Sequence, residues 1–197
     1  MERSGEQRDK HFPVFVHDNA FRRLFCPPRR LVEPYIRTSQ TAADLGCGPG
    51  FFTLALAELA GPEGKVYAVD SDVRAVHELE KKAAERGIRT IEAHARSASD
   101  LSFIRDASVD FVLCHGLLCS MVPKDHEAAV SEIKRVLKQE GMAYLSVAKG
   151  PWSYVDRAEW ERILEGFAVV RRSDGCSVLS DRWAVVTPKK RRYPLRP

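Results

Sequence analysis

The sequence has few of the features that mark secreted or membrane proteins. Its five cysteines are an odd number and form no C-x-x-C pair, which does not match a disulfide framework or a zinc site. The N-terminus is charged and lacks the apolar segment of a signal peptide. The most apolar run, Phe51 to Leu56, is far too short to span a bilayer. We therefore expect a cytoplasmic protein with reduced thiols and no membrane span.

The chain also lacks a strong excess of charge of one sign. With 197 residues, 44% of them hydrophobic, it is long enough for one well-packed domain and short for two. The formal net charge is +4, and the obvious basic cluster lies in the tail 188–197. We interpret this tail as a solvated end. Charge alone therefore indicates no nucleic-acid partner, although RNA and protein acceptors stay open.

Strand-like and helix-like segments alternate along most of the chain, after a different N-terminal segment. Residues 1–37 contain two predicted short helices, one capped by Asp18 and ended by Pro27, the other beginning at Pro28. We interpret this segment as a lid, followed by a main domain over residues 38–187. The strand-like stretches of that domain are TAADL, KVYAVD, TIEAH, VDFVLCHG, MAYLSVA, FAVVRR and DRWAVVTP.

Three predicted helices carry specific expectations. The helix over 71–87 is expected to be capped by Ser71 and to bury one stripe of side chains. The helix over 124–141 is expected to end in the turn KQEG. A third helix begins with Asp156 and Glu159 at the spacing of a capping box. The expected stripe of the first of these helices is Val73, Val76, Leu79 and Ala83.

Five β-α units followed by two closely spaced strands predict the fold class. It is an α/β fold, a Rossmann-like doubly wound sheet of seven strands with N-terminal lid helices. The sheet is expected to be mostly parallel, with one antiparallel strand from the C-terminal hairpin. In such sheets ligands lie outside the carboxyl ends of the strands, at the turn after the first strand.

Three glycines at alternate positions occupy that turn. Gly46, Gly48 and Gly50 form a G-x-G-x-G sequence, with Asp44 ahead of it and an apolar helix behind. The spacing is neither that of the phosphate loop, G-x-x-x-x-G-K-[ST], nor that of the dinucleotide turn, G-x-G-x-x-G. By analogy with the dinucleotide turn, the first glycine makes the bend, the second lets a ligand approach the backbone, and the third lets the helix pack closely.

An acid ends the second predicted strand. The Asp70 carboxylate is placed to accept hydrogen bonds from two ribose hydroxyls, and it would repel a phosphorylated ribose. A simpler interpretation is that Asp70 caps the next helix, but Ser71 is available for that role. The sequence thus predicts a nucleoside beside the glycine turn.

The segments DLGCGPGFFT, VYAVD and VDFVLCHGLL together resemble the class I S-adenosylmethionine-dependent methyltransferases. Within them the sequence is similar to the small type 11 or ubiquinone/menaquinone group, over roughly Thr38 to Ala148. The resemblance implies S-adenosylmethionine as the cofactor. It also implies methyl transfer by in-line displacement to an unidentified acceptor, for which a small molecule is the default.

The resemblance also implies which residues hold the cofactor. Asp70 would hold the ribose, and Ser71 and Asp72 would lie beside the adenine. Ser97 stands where the family usually has the acid that binds adenine, so Ser97 would accept the hydrogen bond instead, with the Ala98 amide beside it. The residues around the methionine part would be Asp44, Leu45, Gly46, Cys47, Gly48 and Gly50.

The loop after the fourth predicted strand would face the methyl group and the acceptor, through Cys114 and His115. If the acceptor is a hydroxyl, a base is needed, and His115 is the best placed candidate. The alternative is that His115 only closes the pocket, and His17 in the lid is a second candidate base. An amine, thiol or carbanion acceptor needs no dedicated base.

Other function classes stay open at this point. A protein of the same fold could bind the cofactor for regulation or assembly without transferring a methyl group, and a nicotinamide oxidoreductase is a third alternative. A fourth alternative is a protein that binds a thiophilic substrate through Cys26, Cys114 and Cys119. We predict no metal site, because His115, Cys119 and His126 lack a recognised ligand spacing. The expected oligomeric state is a monomer or a homodimer.

Overall fold

The computed structural model describes residues 27–150, 153–175 and 181–189. The predicted helix capped by Asp18, the candidate base His17, and the basic tail after Lys189 lie outside the described residues. Cys26 and Cys176 lie outside them too. Within the described ranges, strands and helices alternate from Thr41 to Glu165 with one exception to the expected β-α units, because the strand Ile91–Ala95 is followed directly by the strand Val109–His115. Two strands, Phe167–Ser173 and Arg182–Pro188, complete the fold.

A sheet of seven strands forms the centre of the fold, in the order β3-β2-β1-β4-β5-β7-β6. The first five strands pair in parallel, which confirms the doubly wound arrangement. The hairpin strand β7 lies between β5 and β6 and is antiparallel to both. The single antiparallel strand predicted near one edge is therefore confirmed. The strands are β1 Thr41–Leu45, β2 Lys65–Asp70, β3 Ile91–Ala95, β4 Val109–His115, β5 Leu137–Val147, β6 Phe167–Ser173 and β7 Arg182–Pro188.

Helices cover both faces of the sheet, so the central strands are buried on both sides. On β4, Phe111 and Leu113 belong to one apolar cluster, together with α1 and α2. Val112 and Cys114, which alternate with them, belong to the opposite cluster, together with α4 and α5. This burial explains why β4 has a continuous apolar sequence. The helices are α1 Pro28–Val32, α2 Thr53–Ala60, α3 Val73–Glu85, α4 His126–Val136 and α5 Arg157–Glu165, with a short 3₁₀ turn at Pro123–Asp125.

The predicted start of α3 is wrong by one residue. Asp72, not Ser71, is the N-cap, and its side chain accepts a hydrogen bond from the Arg74 amide. Val73 is then the first helical residue, and it is 52% exposed instead of buried. Ala75 takes its place on the inner face, beside the other three residues of the predicted stripe.

The helix expected over 124–141 ends early. α4 ends at Val136, and β5 already begins at Leu137, so the KQEG segment belongs to the strand rather than to a helical turn. Leu137 pairs with Val109, and an irregularity follows before Met142 pairs with Phe111. The Lys138 ammonium lies 2.7 Å from the Asp110 carboxylate, so a tertiary ion pair holds the segment against β4.

The remaining helices agree with expectation. Asp156 caps α5 by accepting a hydrogen bond from the Glu159 amide, as the capping box predicted. α1 begins at Pro28, and both Val32 and Ile36 are buried against the sheet. No helix in the described part of the chain combines the length and the apolar composition that a bilayer crossing requires.

Candidate active site

The glycine turn lies between the carboxyl end of β1 and the start of α2. The amides of Gly46 and Cys47 both donate to the Val69 carbonyl on β2, at 2.8 and 3.1 Å. All three glycines of the motif have positive φ angles, +75° for Gly46, +51° for Gly48 and +90° for Gly50. Since residues with side chains rarely adopt these angles, the motif needs glycine for its backbone path alone.

The three glycines differ in what surrounds them. A Cβ atom on Gly50 would lie 2.4 Å from the Leu79 side chain of α3, and one on Gly46 would lie 3.0 Å from Leu117. A Cβ atom on Gly48 would meet no atom of the described residues within 4 Å. The outer two glycines therefore permit close packing, and the middle one has open space beside it within the described part of the chain. The close packing at Gly50 agrees with the role predicted for the third glycine.

The Asp70 carboxylate joins the glycine turn to the start of α3. One of its oxygens accepts from the Gly48 amide at 2.8 Å, and the other accepts from the Asp72 amide at 2.9 Å. Each carboxylate oxygen can accept a second hydrogen bond. The half-buried group therefore still has acceptor capacity for two hydroxyls beside the open side of Gly48. These residues fit a ribose.

Asp44 is a buried carboxyl group at the same end of the sheet. Its side chain is 2% exposed and accepts a hydrogen bond from the Thr53 hydroxyl at 2.7 Å. Burial raises the pKa of Asp44 from 3.8 to about 7; the Thr53 hydrogen bond lowers it, and the charge of Asp70 adds to the rise. Burial removes water from the Asp44 carboxylate and so disfavours its charged form. A cationic ligand beside Asp44 would stabilise that charged form.

Other residues predicted around the cofactor lie at the ends of β1, β2 and β3. Leu45 and Cys47 are buried, and burial raises the pKa of the Cys47 thiol well above its usual value. Ser71 is exposed in the turn after β2. In the turn after β3, the Ser97 hydroxyl lies 2.8 Å from the Ser99 hydroxyl, next to the buried Ala98.

Of the two residues predicted to face the methyl group, Cys114 has its side chain turned into the core. Cys114 is fully buried in the core under α4 and α5, and burial raises the pKa of its thiol to about 12. Cys119 is also buried and donates to the Gly116 carbonyl. Two buried thiols do not form the open thiolate cluster that a thiophilic substrate needs.

His115, the next residue along β4, points to the opposite face. Its ring lies 4.9 Å from the Phe52 ring and is nearly parallel to the Tyr144 ring at 6.2 Å. The Nε2 atom lies 3.8 Å from the Asp181 carboxylate. The structure thus brings His115 to the carboxyl end of the sheet, on the face of α2. Phe52, Thr53 and Asp181 were missed because only the folded chain places them beside the predicted residues.

A buried histidine anchors the loop that follows β4. The His126 ring lies 2.9 Å from the Glu159 carboxylate and 2.9 Å from the Leu118 carbonyl. These contacts tie the loop to α4 and α5, so His126 has a structural role here. Among the described residues, no group of three or more His, Cys, Asp or Glu side chains is arranged to hold a metal ion.

A doubly wound sheet of seven strands whose β7 is inserted antiparallel between β5 and β6, together with a G-x-G-x-G turn after β1 and an acid at the end of β2, is typical of one class of proteins. That class is the S-adenosylmethionine-dependent methyltransferases. The family model described as a methyltransferase domain matches residues 42–141, which is about half of the chain and includes the whole glycine turn. The chain belongs to this methyltransferase-domain family.

Curated relatives agree with this assignment. The chain is 35% identical over 107 residues to a demethylmenaquinone methyltransferase from Geobacillus stearothermophilus, covering 54% of this chain and 44% of the relative. It is 28% identical over 144 residues to a protein of the same name from Lactobacillus johnsonii, covering 73% and 58%. The chain thus spans about half the length of these relatives.

Solved structures share the fold across most of the chain. A methyltransferase from Aquifex aeolicus, described as dependent on S-adenosylmethionine, has a TM-score of 0.73 at 23% identity and covers 90% of this chain and 100% of its own. Magnesium protoporphyrin IX methyltransferase from Synechocystis, solved with bound S-adenosylmethionine, has a TM-score of 0.66 at 21% identity, covering 84% and 78%. At these identities the likeness concerns the fold.

Proposed function

We propose that this protein transfers a methyl group from S-adenosylmethionine to a small-molecule acceptor. One observation carries the proposal most directly. The open side of Gly48 lies next to a carboxylate, Asp70, whose two oxygens hold the turn in place and keep further acceptor capacity. A nucleoside can approach the backbone there and bind through its ribose.

The proposed cofactor site has three parts. Asp70 binds the ribose, and Ser71, Asp72, Ser97 and Ala98 surround the adenine. When bound, S-adenosylmethionine supplies a methyl group activated by its positively charged sulfur. The buried Asp44 carboxylate provides negative charge near this cation. The methionine part is held by Asp44, Leu45, Gly46, Cys47, Gly48 and Gly50.

The acceptor is proposed to lie on the His115 side of the site. The backbone of Cys114 forms part of its floor, and the His115 ring takes a proton when the acceptor is a hydroxyl. The Asp181 carboxylate, 3.8 Å from Nε2 of His115, stabilises the protonated ring. Two relatives named demethylmenaquinone methyltransferase support a small-molecule acceptor over RNA or protein.

The wider predictions are part of the same proposal. Residues 1–37 form a lid segment that is anchored to the domain 38–187 through the buried Val32 and Ile36, and the tail that follows Pro188 is a solvated end. The protein is cytoplasmic, which Cys47, Cys114 and Cys119 support, because none of these three described cysteines is in a disulfide. It acts as a monomer or a homodimer.

Replacing Asp70 with alanine tests the cofactor site. We expect the affinity for S-adenosylhomocysteine to fall by about tenfold or more, because the ribose hydrogen bonds are lost and the Gly48 turn is released. Isothermal titration calorimetry measures this affinity. Asp156→Ala is a matched control, because it removes the aspartate cap of α5, at a cost of about 1 kcal/mol of stability, while leaving the affinity unchanged. Wild-type affinity in Asp70→Ala would refute the ribose assignment.

A binding protein without transferase activity is the second candidate, favoured by Ser97 in place of the usual acid. Titration with S-adenosylmethionine, followed by a methyl-transfer assay on a panel of hydroxylated and amine acceptors, separates the two functions. Cofactor binding without transfer to any member of the panel supports the second candidate. Absence of binding contradicts both.

A further inference from the structure

The connection from β3 to β4 carries part of the proposed adenine site. In the described structure, residues 96–108 join the two strands without a helix, so helical hydrogen bonds do not fix their backbone. Ser97 and Ala98, proposed to lie beside the adenine, stand at the start of this connection, and Leu101 and Ile104 are fully buried further along it. A binding group on an irregular segment needs supporting contacts to hold its position. Whatever anchors this connection therefore also controls the contact with the base.

The anchor is the guanidinium of Arg135 on α4. It donates to the carbonyls of Leu101 and Ile104, both at 2.8 Å, and to the Asp106 carboxylate at 2.6 Å. Its other two hydrogen bonds, at 2.7 and 2.8 Å, go to the carboxylate of Glu132, which is also on α4. A guanidinium has five N–H donors. All five are used here, and three of them hold the connection.

Glu132 gives the same anchor a second contact with the connection. Its carboxylate accepts from the Leu101 amide at 2.7 Å, so Leu101 is held at both its amide and its carbonyl. The hydrogen bond from Arg135 holds the pKa of Glu132 below its usual value, and the carboxylate is therefore charged at neutral pH. The planar fork of arginine reaches acceptors on several sides at once, which the single ammonium of a lysine cannot do. The anchor thus depends on the shape of the side chain as well as on its charge.

A short turn links this anchor to the proposed adenine contacts. The Asp100 amide donates to the Ser97 carbonyl at 3.1 Å. The Ser99 amide donates to the Ser97 hydroxyl at 3.2 Å, and the two hydroxyls lie 2.8 Å apart. Leu101 follows this turn directly. A shift of the Leu101 backbone would therefore move the turn, and with it the Ser97 hydroxyl.

We propose that Arg135 is a positioning residue for the adenine of S-adenosylmethionine, and that through Leu101 it keeps Ser97 and Ala98 where they contact the edge of the base. This role rests on the proposed function, because it assumes that the adenine lies beside Ser97. It goes further in giving α4 control over which base the site accepts. Arg135 acts only through the connection, since its own N–H groups are all bound within the fold.

Two ligands that differ only in the base test this role in the full chain. S-inosylhomocysteine has an oxygen in place of the adenine amino group of S-adenosylhomocysteine, which exchanges donor and acceptor along that edge. By calorimetric titration, we expect the wild type to bind S-adenosylhomocysteine at least about fivefold more tightly, as one hydrogen bond provides. Arg135→Gln should reduce this preference to about twofold or less. The control Arg172→Gln removes an arginine with two hydrogen bonds to Glu161, away from the connection, and should keep the preference.

The ratio of the two affinities separates positioning from stability. Loss of the anchor also destabilises the fold, but partial unfolding weakens both ligands equally and leaves their ratio unchanged. Arg135→Lys keeps the charge without the planar fork, so it should lose most of the preference too, and it provides the test if Arg135→Gln does not fold. A preserved ratio in either variant, or a wild type without the preference, overturns the role of Arg135. Failure of both ligands to bind the wild type contradicts the proposed function itself, and this role with it.

Discussion

Replacing Gly50 with alanine is expected to lower the free energy of unfolding by about 3 kcal/mol, from backbone strain and overpacking together. The φ angle of +90° is unfavourable for any residue with a side chain. The new Cβ atom would also lie 2.4 Å from Cδ1 of Leu79. Leu79 is fully buried in the packing between α3 and the sheet, so it has little room to move away.

Gly48→Ala is the matched control, because it places the same side chain two residues earlier. Its φ angle of +51° lies in the left-handed region, and its Cβ would meet no described residue within 4 Å, so a cost of about 1 kcal/mol is expected. The same Cβ would fill the space proposed for the cofactor. The affinity of the Gly48→Ala variant for S-adenosylhomocysteine should therefore fall by about tenfold or more.

Urea unfolding and calorimetric titration of both variants measure these effects. The expected pattern is a large loss of stability for Gly50→Ala, and a small loss of stability with a large loss of binding for Gly48→Ala. Equal losses of stability in the two variants would contradict the division between packing and ligand approach. Wild-type binding by Gly48→Ala would show that the ligand does not approach the backbone at that residue.

Much of this fold follows from sequence because its strands and turns have strong local signals. The apolar run of β4 predicts a strand buried on both faces, and the glycine turn marks the carboxyl end of β1. The same run leaves one detail of β4 undecided. Alternation along a strand gives Cys114 and His115 opposite orientations, but when both faces are apolar the sequence does not reveal which set of residues lies against which helices. Only the packing of the helices shows that Cys114 lies under α4 and α5 and His115 on the side of α2.

Tertiary contacts also decide between residues that local sequence rules rank as equally good helix caps. Ser71 and Asp72 are both good caps, and the choice depends on Asp70, which accepts a hydrogen bond from the Asp72 amide. The N-cap of α3 is therefore neither Asp70 nor the predicted Ser71, but Asp72.

Asp44→Asn is expected to stabilise the cofactor-free protein while weakening cofactor binding. Burial raises the pKa of Asp44 from 3.8 to about 7 in the folded state. Below pH 3.8 the carboxyl is protonated in both states, so it does not affect stability. Between pH 3.8 and 7 the unfolded state loses the proton first, and stability falls as the pH rises. Above pH 7 the loss is complete.

Asparagine removes this cost and still accepts the hydrogen bond from Thr53. A raised pKa of this size corresponds to an upper limit of about 4 kcal/mol, and we expect a gain of about 2 kcal/mol at pH 8 after local relaxation. Near pH 4 the variant and the wild type should have similar stability. Urea unfolding at the two pH values measures the difference, and a gain that does not grow with pH would contradict the assignment.

The cofactor effect should have the opposite sign. The presence of a carboxylate that destabilises the fold is explained if its negative charge binds the cationic part of S-adenosylmethionine. The neutral amide of asparagine cannot replace that charge. We expect Asp44→Asn to bind S-adenosylmethionine about tenfold more weakly or worse at pH 8. The wild-type affinity should itself fall as the pH drops below 7, because binding then requires removal of a proton from Asp44. A variant that gains stability and also keeps its affinity would show that Asp44 does not contact the cofactor.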